Sequence, residues 1–112
     1  MSRFETRRAE TGHTVIAPHG RLDLVAAGDL RTVVATAVVG AATPLVVDLS
    51  DVQFIDSSGL GALVGALRTA RQAGLDLRIA GAAEQVLAVL AMTRIDRVLR
   101  PYATVQDAVG AG

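Results

Sequence analysis

The sequence has no cysteine and no lysine among its 112 residues. Without cysteine, the chain can form no disulfide, no thiolate zinc site and no cysteine nucleophile. Its eleven basic residues are therefore all arginine, and they balance eleven acidic residues to a formal net charge of zero. Because a neutral chain has no overall field to attract polyanions, we expect neither nucleic acid nor a membrane as a direct partner.

Long apolar runs are also missing. The longest apolar segments, residues 33–42 and 60–67, are far shorter than the about 20 residues that a membrane-spanning helix needs. Residues 1–8 carry charges and lead into no apolar stretch, so they lack the pattern of a secretory signal. We expect a cytoplasmic protein in which residues 1–112 form one domain, since a chain of this length buries roughly 60 to 70% of its unfolded surface.

The first part of the chain alternates between strand and helix patterns. Short runs of alternating polarity at residues 4–10 and 14–19 predict an N-terminal β-hairpin. Apolar residues then recur at helical spacing over residues 30–41 and predict a first helix, which Gly40 and Pro44 end.

The middle of the chain repeats this alternation. The continuous apolar run at residues 45–47 predicts a central strand that is covered on both faces. The segment after this strand is interpreted as a polar turn that carries two hydroxyls, and an apolar stripe over residues 60–70 predicts a second helix that Gly74 ends. Alternating polarity at residues 75–79 predicts a further strand.

The last part of the chain completes the fold prediction. Residues 86–90 predict a small third helix, residues 98–99 a last short strand, and Thr104 the cap of a terminal helix. Strands that alternate with helices indicate an α/β fold with right-handed crossovers. We predict a mixed central sheet of about five short strands, with the N-terminal hairpin and about four helices.

The segment Asp56-Ser57-Ser58-Gly59 stands at the entrance of the second predicted helix. A serine there meets unpaired backbone N–H groups and the positive end of the helix dipole, so a phosphate on it would be tolerated. The simplest alternative is that these residues only cap the helix, which contributes about 1 kcal/mol. Residue type and spacing alone favour capping.

Two enzyme classes fit the sequence poorly. A serine hydrolase needs an activating base and a G-x-S-x-G turn, whereas Asp56 stands two positions before Ser58, where that turn has glycine. The only imidazoles, His13 and His19, fall in the hairpin region. We expect them to be surface or edge residues rather than a base or a metal pair, because no third ligand is near them in the sequence. We therefore expect no catalytic residues and no metal.

A dinucleotide site is the second enzyme-class alternative. Gly59, Gly61 and Gly65 resemble a glycine fingerprint, and Asp76 follows downstream. In that fingerprint the glycines come directly after the strand, whereas residues 51–57 intervene here, and the chain is too short for two mononucleotide-binding halves. We interpret Gly61 and Gly65 as positions of close helix-to-sheet packing, and we expect no cofactor.

Three segments together resemble a known family. Residues 20–23 (GRLD), 45–49 (LVVDL) and 54–61 (FIDSSGLG) are similar, in order and spacing, to the STAS-domain anti-sigma factor antagonists, and the resemblance covers nearly the whole chain. The D-S-[ST]-G-[LIVM]-G pattern, from Asp56 to Gly61, is its most specific part. The resemblance implies a STAS-type fold.

The resemblance also implies roles for individual residues. Ser57 matches the serine that is phosphorylated in the family, and Ser58 matches the neighbouring hydroxyl. Asp56 matches the acid before the phosphorylated serine, and Asp23 an acidic residue near the anti-sigma interface. The chain departs from the family at Arg94, where a helix-ending glycine is common. Either the left-handed position has moved, or Arg94 adopts it with strain.

The function that the resemblance implies is partner switching in bacterial transcription, in stress-response or sporulation signalling. The unphosphorylated protein would bind an anti-sigma factor that is also a serine kinase, and so free a sigma factor. Phosphorylation of Ser57 would end the binding, and a serine phosphatase would reverse it. The antagonist itself would not be an enzyme. The alternative is a constitutive STAS binding or scaffolding module, whose serines only cap the helix.

Overall fold

The chain begins with the hairpin that its alternating runs predict. In the computed structural model, which describes residues 4–111, β1 (Phe4–Arg8) pairs antiparallel with β2 (Thr14–Pro18). Gly12 lies in the connecting turn with a φ of 91°, a conformation that glycine adopts without steric cost.

The rest of the described chain alternates between strands and helices. The further strands are β3 (Gly20–Leu22), β4 (Leu45–Asp48), β5 (Val52–Ile55), β6 (Leu77–Ala80) and β7 (Pro101–Tyr102). The helices are α1 (Leu24–Ala37), α2 (Ser57–Gln72), α3 (Glu84–Met92) and α4 (Val105–Gly110), and a single 3-10 turn spans Ile95–Arg97. The order β1-β2-β4-β6-β7 forms the main sheet, in which every pair except the hairpin is parallel. The predicted α/β fold with a mixed five-stranded sheet and four helices is confirmed.

Two hydrophobic clusters cover the two faces of the main sheet. One face packs under α1, α2 and α3, where Leu30, Leu63 and Leu90 are fully buried. The other face packs under α4 through Val46 and Ala108. Because β4 is central and covered on both sides, its residues form the continuous apolar run that the sequence contains.

The second, two-stranded sheet was not predicted from the sequence. The interpretation of the segment between β4 and α2 as a polar turn is wrong over residues 52–55, which form β5 and pair in parallel with β3. Only the two ends of β5, Val52 and Ile55, are buried. A short strand buried at its ends has no alternating pattern, so periodicity does not reveal it.

The position of the last strand also differs from the prediction. Residues 98–99 follow the 3-10 turn and form no strand, whereas β7 begins at Pro101 and pairs with Ile79 and Ala80 of β6. The predicted terminal helix is confirmed as α4, and Thr104 caps it by accepting a hydrogen bond of 3.1 Å from the Asp107 N–H. Within residues 4–111, no helix has both the length and the apolar character needed to cross a membrane.

Arg94 adopts the left-handed conformation that the sequence left as one of two possibilities. Its φ is 61° and its ψ is 16°, and it follows directly on the C-cap of α3. Its N–H donates to the Ala91 carbonyl at 3.1 Å, so the helix ends here with the geometry that glycine usually provides. The Cβ of an L-residue in this conformation crowds the following carbonyl, at a cost of roughly 1–2 kcal/mol.

Arg94→Gly is expected to raise the free energy of unfolding by about 1 kcal/mol, because glycine removes this crowding. For a domain of this size, that gain corresponds to a rise in melting temperature of about 4–8 °C. Arg97→Gly is the matched control, because Arg97 is nearby and has no positive φ. This variant is expected to lower the melting temperature. Thermal melts of both variants test the strain, and an unchanged or lower melting temperature for Arg94→Gly would contradict it.

Candidate functional site

The candidate site forms where β3 and β5 end side by side. Leu22, the last residue of β3, pairs with Ile55, the last residue of β5, and each strand leads through one aspartate into a helix. The Asp56 N–H donates to the Leu22 carbonyl at 3.4 Å. The structure therefore brings Asp23, before α1, close to Asp56, before α2, although 32 residues separate them in the sequence.

Both aspartates are helix caps. The Asp23 carboxylate accepts a hydrogen bond of 3.2 Å from the Ala26 N–H, and the Asp56 carboxylate accepts one of 3.0 Å from the Gly59 N–H. Each of these caps contributes about 1 kcal/mol of helix stability. The capping alternative is therefore confirmed for Asp56, but the cap needs neither of the following serines.

The two serine hydroxyls have no structural partner. Ser57 is the first residue of α2 and is exposed, and Ser58 follows it half-buried. In the part of the chain that the structure describes, neither hydroxyl makes a hydrogen bond. At the first turn of a helix their backbone N–H groups also lack carbonyl acceptors within the helix. The site thus presents a free hydroxyl beside free N–H donors at the positive end of α2.

Gly59 holds the two helix entrances together. It is buried, and a Cβ at this position would overlap the Leu22 backbone carbonyl oxygen and would lie 2.9 Å from Cγ1 of Ile55. Only glycine allows α2 to approach the end of β3 this closely. The same contact argues against a dinucleotide site, since the space beside Gly59 is filled by the Leu22 carbonyl.

The interpretation of Gly61 and Gly65 as close packing positions is wrong. A Cβ at either position would meet no atom within 4 Å. Gly61 is exposed, and it lies near the site without taking part in the contact between α2 and β3. The sequence motif contains several glycines, and their spacing does not distinguish the one that a neighbouring backbone contacts.

Three exposed apolar side chains surround the helix entrances, and sequence reasoning missed them. This site rim consists of Leu24 and Val25 in the first turn of α1, which are 71% and 63% exposed, and Phe54 in β5, which is 38% exposed. The sequence carries a signal for it, because Leu24 and Val25 come directly after the cap and outside the buried stripe of α1. Exposed apolar side chains near a candidate site are typical of an interaction surface.

One arginine contributes positive charge to the site rim. The Arg21 guanidinium lies 4.0 Å from the centre of the Phe54 ring, within the range of a cation–π contact. Its Nε is 3.9 Å from an Asp23 carboxylate oxygen. Arg21 therefore lies close to both the Phe54 ring in β5 and the Asp23 cap of α1, and it places a charged group beside the apolar side chains of the site rim.

The two histidines lie at the hairpin. The Nδ1 atom of His19 is 3.1 Å from an Asp51 carboxylate oxygen, and the Nδ1 atom of His13 is 2.7 Å from the Thr11 hydroxyl. No hydrogen bond joins either imidazole to Ser57 within residues 4–111. The same part of the chain contains no cluster of three or more His, Cys, Asp or Glu side chains that could hold a metal ion.

Comparison with known proteins identifies relatives of the chain. A family model described as STAS domain matches residues 6–108. The anti-sigma-B factor antagonist of Listeria monocytogenes is 26% identical over 96 residues, which cover 86% of this chain and 84% of that protein.

Two solved structures have a fold similar to that of this chain. The crystal structure of a putative anti-sigma factor antagonist from Thermotoga maritima has a TM-score of 0.83 at 25% identity, and covers 94% of this chain and 90% of that one. The Bacillus cell fate determinant SpoIIAA in its phosphorylated form has a TM-score of 0.71 at 23% identity, with 96% of each chain covered.

Proposed function

The chain belongs to the STAS-domain family of anti-sigma factor antagonists, and we propose that it binds an anti-sigma factor with serine kinase activity through the surface around Ser57. This binding would free a sigma factor. The kinase would transfer the γ-phosphate of ATP to the Ser57 hydroxyl, and the phosphorylated protein would be released. A serine phosphatase would return it to the binding form.

One observation carries this proposal. The Ser57 hydroxyl is exposed and makes no hydrogen bond within the described chain, while Asp56 alone caps α2. A serine kept only as a cap would use its oxygen to accept a backbone N–H. The hydroxyl of Ser57 instead remains available to a partner, whether as a binding group or as a phosphate acceptor.

The free protein is suited to carry a phosphate at this position. A phosphoserine adds about −1.5 to −2 charge at neutral pH, and the unpaired N–H groups at the start of α2 can donate to its oxygens. α2 has 16 residues, so the positive end of its dipole is fully developed. The fold therefore need not open when Ser57 is modified.

The complex, by contrast, would lose affinity. In the complex, the apolar side chains of the site rim, including Leu24, would be covered together with the neutral Ser57 hydroxyl. A phosphate would bring a multiply charged group into the same desolvated contact, beside the carboxylates of Asp23 and Asp56, and burying unpaired charge costs several kcal/mol. Since each 1.4 kcal/mol is tenfold in affinity, we expect a loss of about a hundredfold or more.

The roles of the two proteins in the phosphorylation follow from the residues present in this chain. The antagonist would supply only the acceptor hydroxyl and its geometry, while the kinase would supply ATP, metal ion and base. Gly59 would fix the position of Ser57 by holding α2 against β3. We place this cycle in the bacterial cytoplasm, in stress-response or sporulation signalling, without direct contact to nucleic acid or membrane.

Phosphate mapping tests the acceptor. The protein is incubated with its anti-sigma kinase and ATP, and the phosphorylated residue is located by peptide mass spectrometry. We expect labelling of wild type and of Ser58→Ala, and none of Ser57→Ala. Labelling that disappears in Ser58→Ala but persists in Ser57→Ala would contradict the assignment.

Intact-mass measurement of protein from its native host separates the switch from a constitutive binding module. We expect a fraction that carries one phosphate and loses it on phosphatase treatment. A protein that remains unmodified in every growth condition, yet binds the anti-sigma factor, would support the constitutive module instead.

A further inference from the structure

The main sheet has a free edge at β1. β1 pairs only with β2 among the described strands, so one side of its backbone has no strand partner. Antiparallel partners alternate between hydrogen-bonded and non-hydrogen-bonded pairs. Ala9 and His13 continue the register of the hairpin, and the Ala9 N–H donates to the His13 carbonyl at 2.8 Å. Ala9 and His13 are therefore a hydrogen-bonded pair, and by alternation Arg7 and Glu5 also form hydrogen-bonded pairs with their partners in β2.

The backbone groups of Thr6 and Arg8 consequently point away from β2. Phe4 is opposite Pro18, which has no N–H to donate. This agrees with the alternation, which makes Phe4 and Pro18 a non-hydrogen-bonded pair. The free edge thus offers the N–H and the carbonyl of both Thr6 and Arg8. Unpaired groups of this kind form a template for a further strand.

The sequence of β1 is complementary to itself in one antiparallel register. If a second copy pairs with Thr6 opposite Thr6, Glu5 lies opposite Arg7 at two symmetric positions. A shift by two residues in one direction places Glu5 opposite Glu5, and a shift in the other places Arg7 opposite Arg7. Opposite charges across a strand pair stabilise it and like charges destabilise it, so the first of these three registers is favoured.

Both charged side chains are available for such a pair. Glu5 and Arg7 point to the face of the sheet opposite the core side chain of Phe4. The Glu5 side chain is 75% exposed, and its nearest cationic group is the His19 Nε2 atom at 3.6 Å. Arg7 is exposed and has no carboxylate partner within residues 4–111.

A groove beside the free edge supplies mixed polar and apolar surface for the same contact. It has a volume of about 580 Å³ and is lined by Thr6, Arg7 and Arg8 of β1 and by Val33 and Val39, among others, on the side of α1. Arg7 and Arg8 point to opposite faces of the strand, so the groove opens at the edge itself. Val39 is 81% exposed, and a strand added along β1 would cover part of this surface.

We propose that β1 is a homodimer interface, in which two copies join their main sheets through antiparallel pairing centred on Thr6. The pairing would form backbone hydrogen bonds between the Thr6 residues of the two copies and two Glu5–Arg7 ion pairs. The interface is small, so the dimer forms at high protein concentration. This inference does not depend on the phosphorylation of Ser57.

Sedimentation velocity of the full chain, from about 10 µM to about 1 mM, tests the dimer in the range where small interfaces associate. Wild type is expected to shift from monomer to dimer. Arg7→Glu is expected to raise the dissociation constant at least about tenfold, because it places like charges opposite each other twice. The double exchange Glu5→Arg with Arg7→Glu is expected to restore the dimer, since it reverses both partners of each pair.

The controls separate this interface from other effects of charge. Arg100→Glu makes the same charge change at an exposed residue next to β7, the opposite edge of the sheet, and is expected to leave the dimer unchanged. Circular dichroism verifies that each variant is folded, and recovery in the double exchange shows that Arg7→Glu lost only the contact. A wild-type monomer at all concentrations, a dimer insensitive to Arg7→Glu, or a double exchange without recovery would overturn the proposal.

Discussion

Phosphorylation of Ser57 is expected to weaken binding of the protein to its anti-sigma factor by about a hundredfold or more, and Ser57→Asp by about tenfold. The aspartate carries a smaller charge than the phosphate, so its effect has the same direction and a smaller size. Stability should hardly change. Ser57 is exposed and unbonded, and a carboxylate at a helix N-terminus contributes about 0.3–1 kcal/mol of stabilisation.

Isothermal titration calorimetry with purified anti-sigma factor measures the affinity of wild type, of the protein phosphorylated at Ser57 and of Ser57→Asp. Thermal melts of the same three forms measure their stability. Gln106→Glu is a suitable control, because it adds the same charge at an exposed position of α4, on the other face of the sheet. We expect this control to bind like wild type. Equal affinity of wild type and Ser57→Asp would argue against electrostatic release.

Gly59→Ala is expected to lower the free energy of unfolding by about 3 kcal/mol, because the added Cβ would overlap the Leu22 carbonyl oxygen. The obstacle is backbone rather than a flexible side chain, so α2 must move away from β3. For a domain of this size, the melting temperature should fall by about 10–20 °C. Because α2 carries Ser57 at its first position, labelling by the kinase should fall as well.

Gly61→Ala is the matched control for this substitution. Gly61 lies in the same helix, and its Cβ would meet no atom within 4 Å. Alanine is favoured over glycine in a helix by about 1 kcal/mol, so this variant should be as stable as wild type or more stable. Chemical denaturation of the two variants compares them directly. If Gly59→Ala unfolded at the same denaturant concentration as Gly61→Ala, the close contact with Leu22 would be refuted.

Local patterns in the sequence were sufficient to predict most elements of the fold. The buried stripe of α2 recurs at the spacing of one helix face, and β4 forms a continuous apolar run because it is covered on both sides. Asp56 and Thr104 were predictable as caps because a cap acts on N–H groups two or three residues away. Each of these features depends only on neighbours within the same segment.

Features without such a local pattern were missed. β3 and β5 are short, and only the two ends of β5 are buried, so their sequences contain no alternation. The resemblance to the family located Ser57, but it could not distinguish the packing role of Gly59 from the open position of Gly61. That difference depends on Leu22, which is 37 residues before Gly59 in the sequence.

The sequence by itself determined the N-terminal hairpin, the central strand β4, the strand β6, the four helices, the cap of α2 and the position of the candidate acceptor serine. Only the tertiary structure decided that the strands before Asp23 and Asp56 end side by side, that Leu24 and Phe54 are exposed near these helix entrances, and that β1 has a free edge. The physical reason is that periodicity and capping act within a few residues, whereas these contacts arise when parallel pairing of β3 with β5 brings distant segments together.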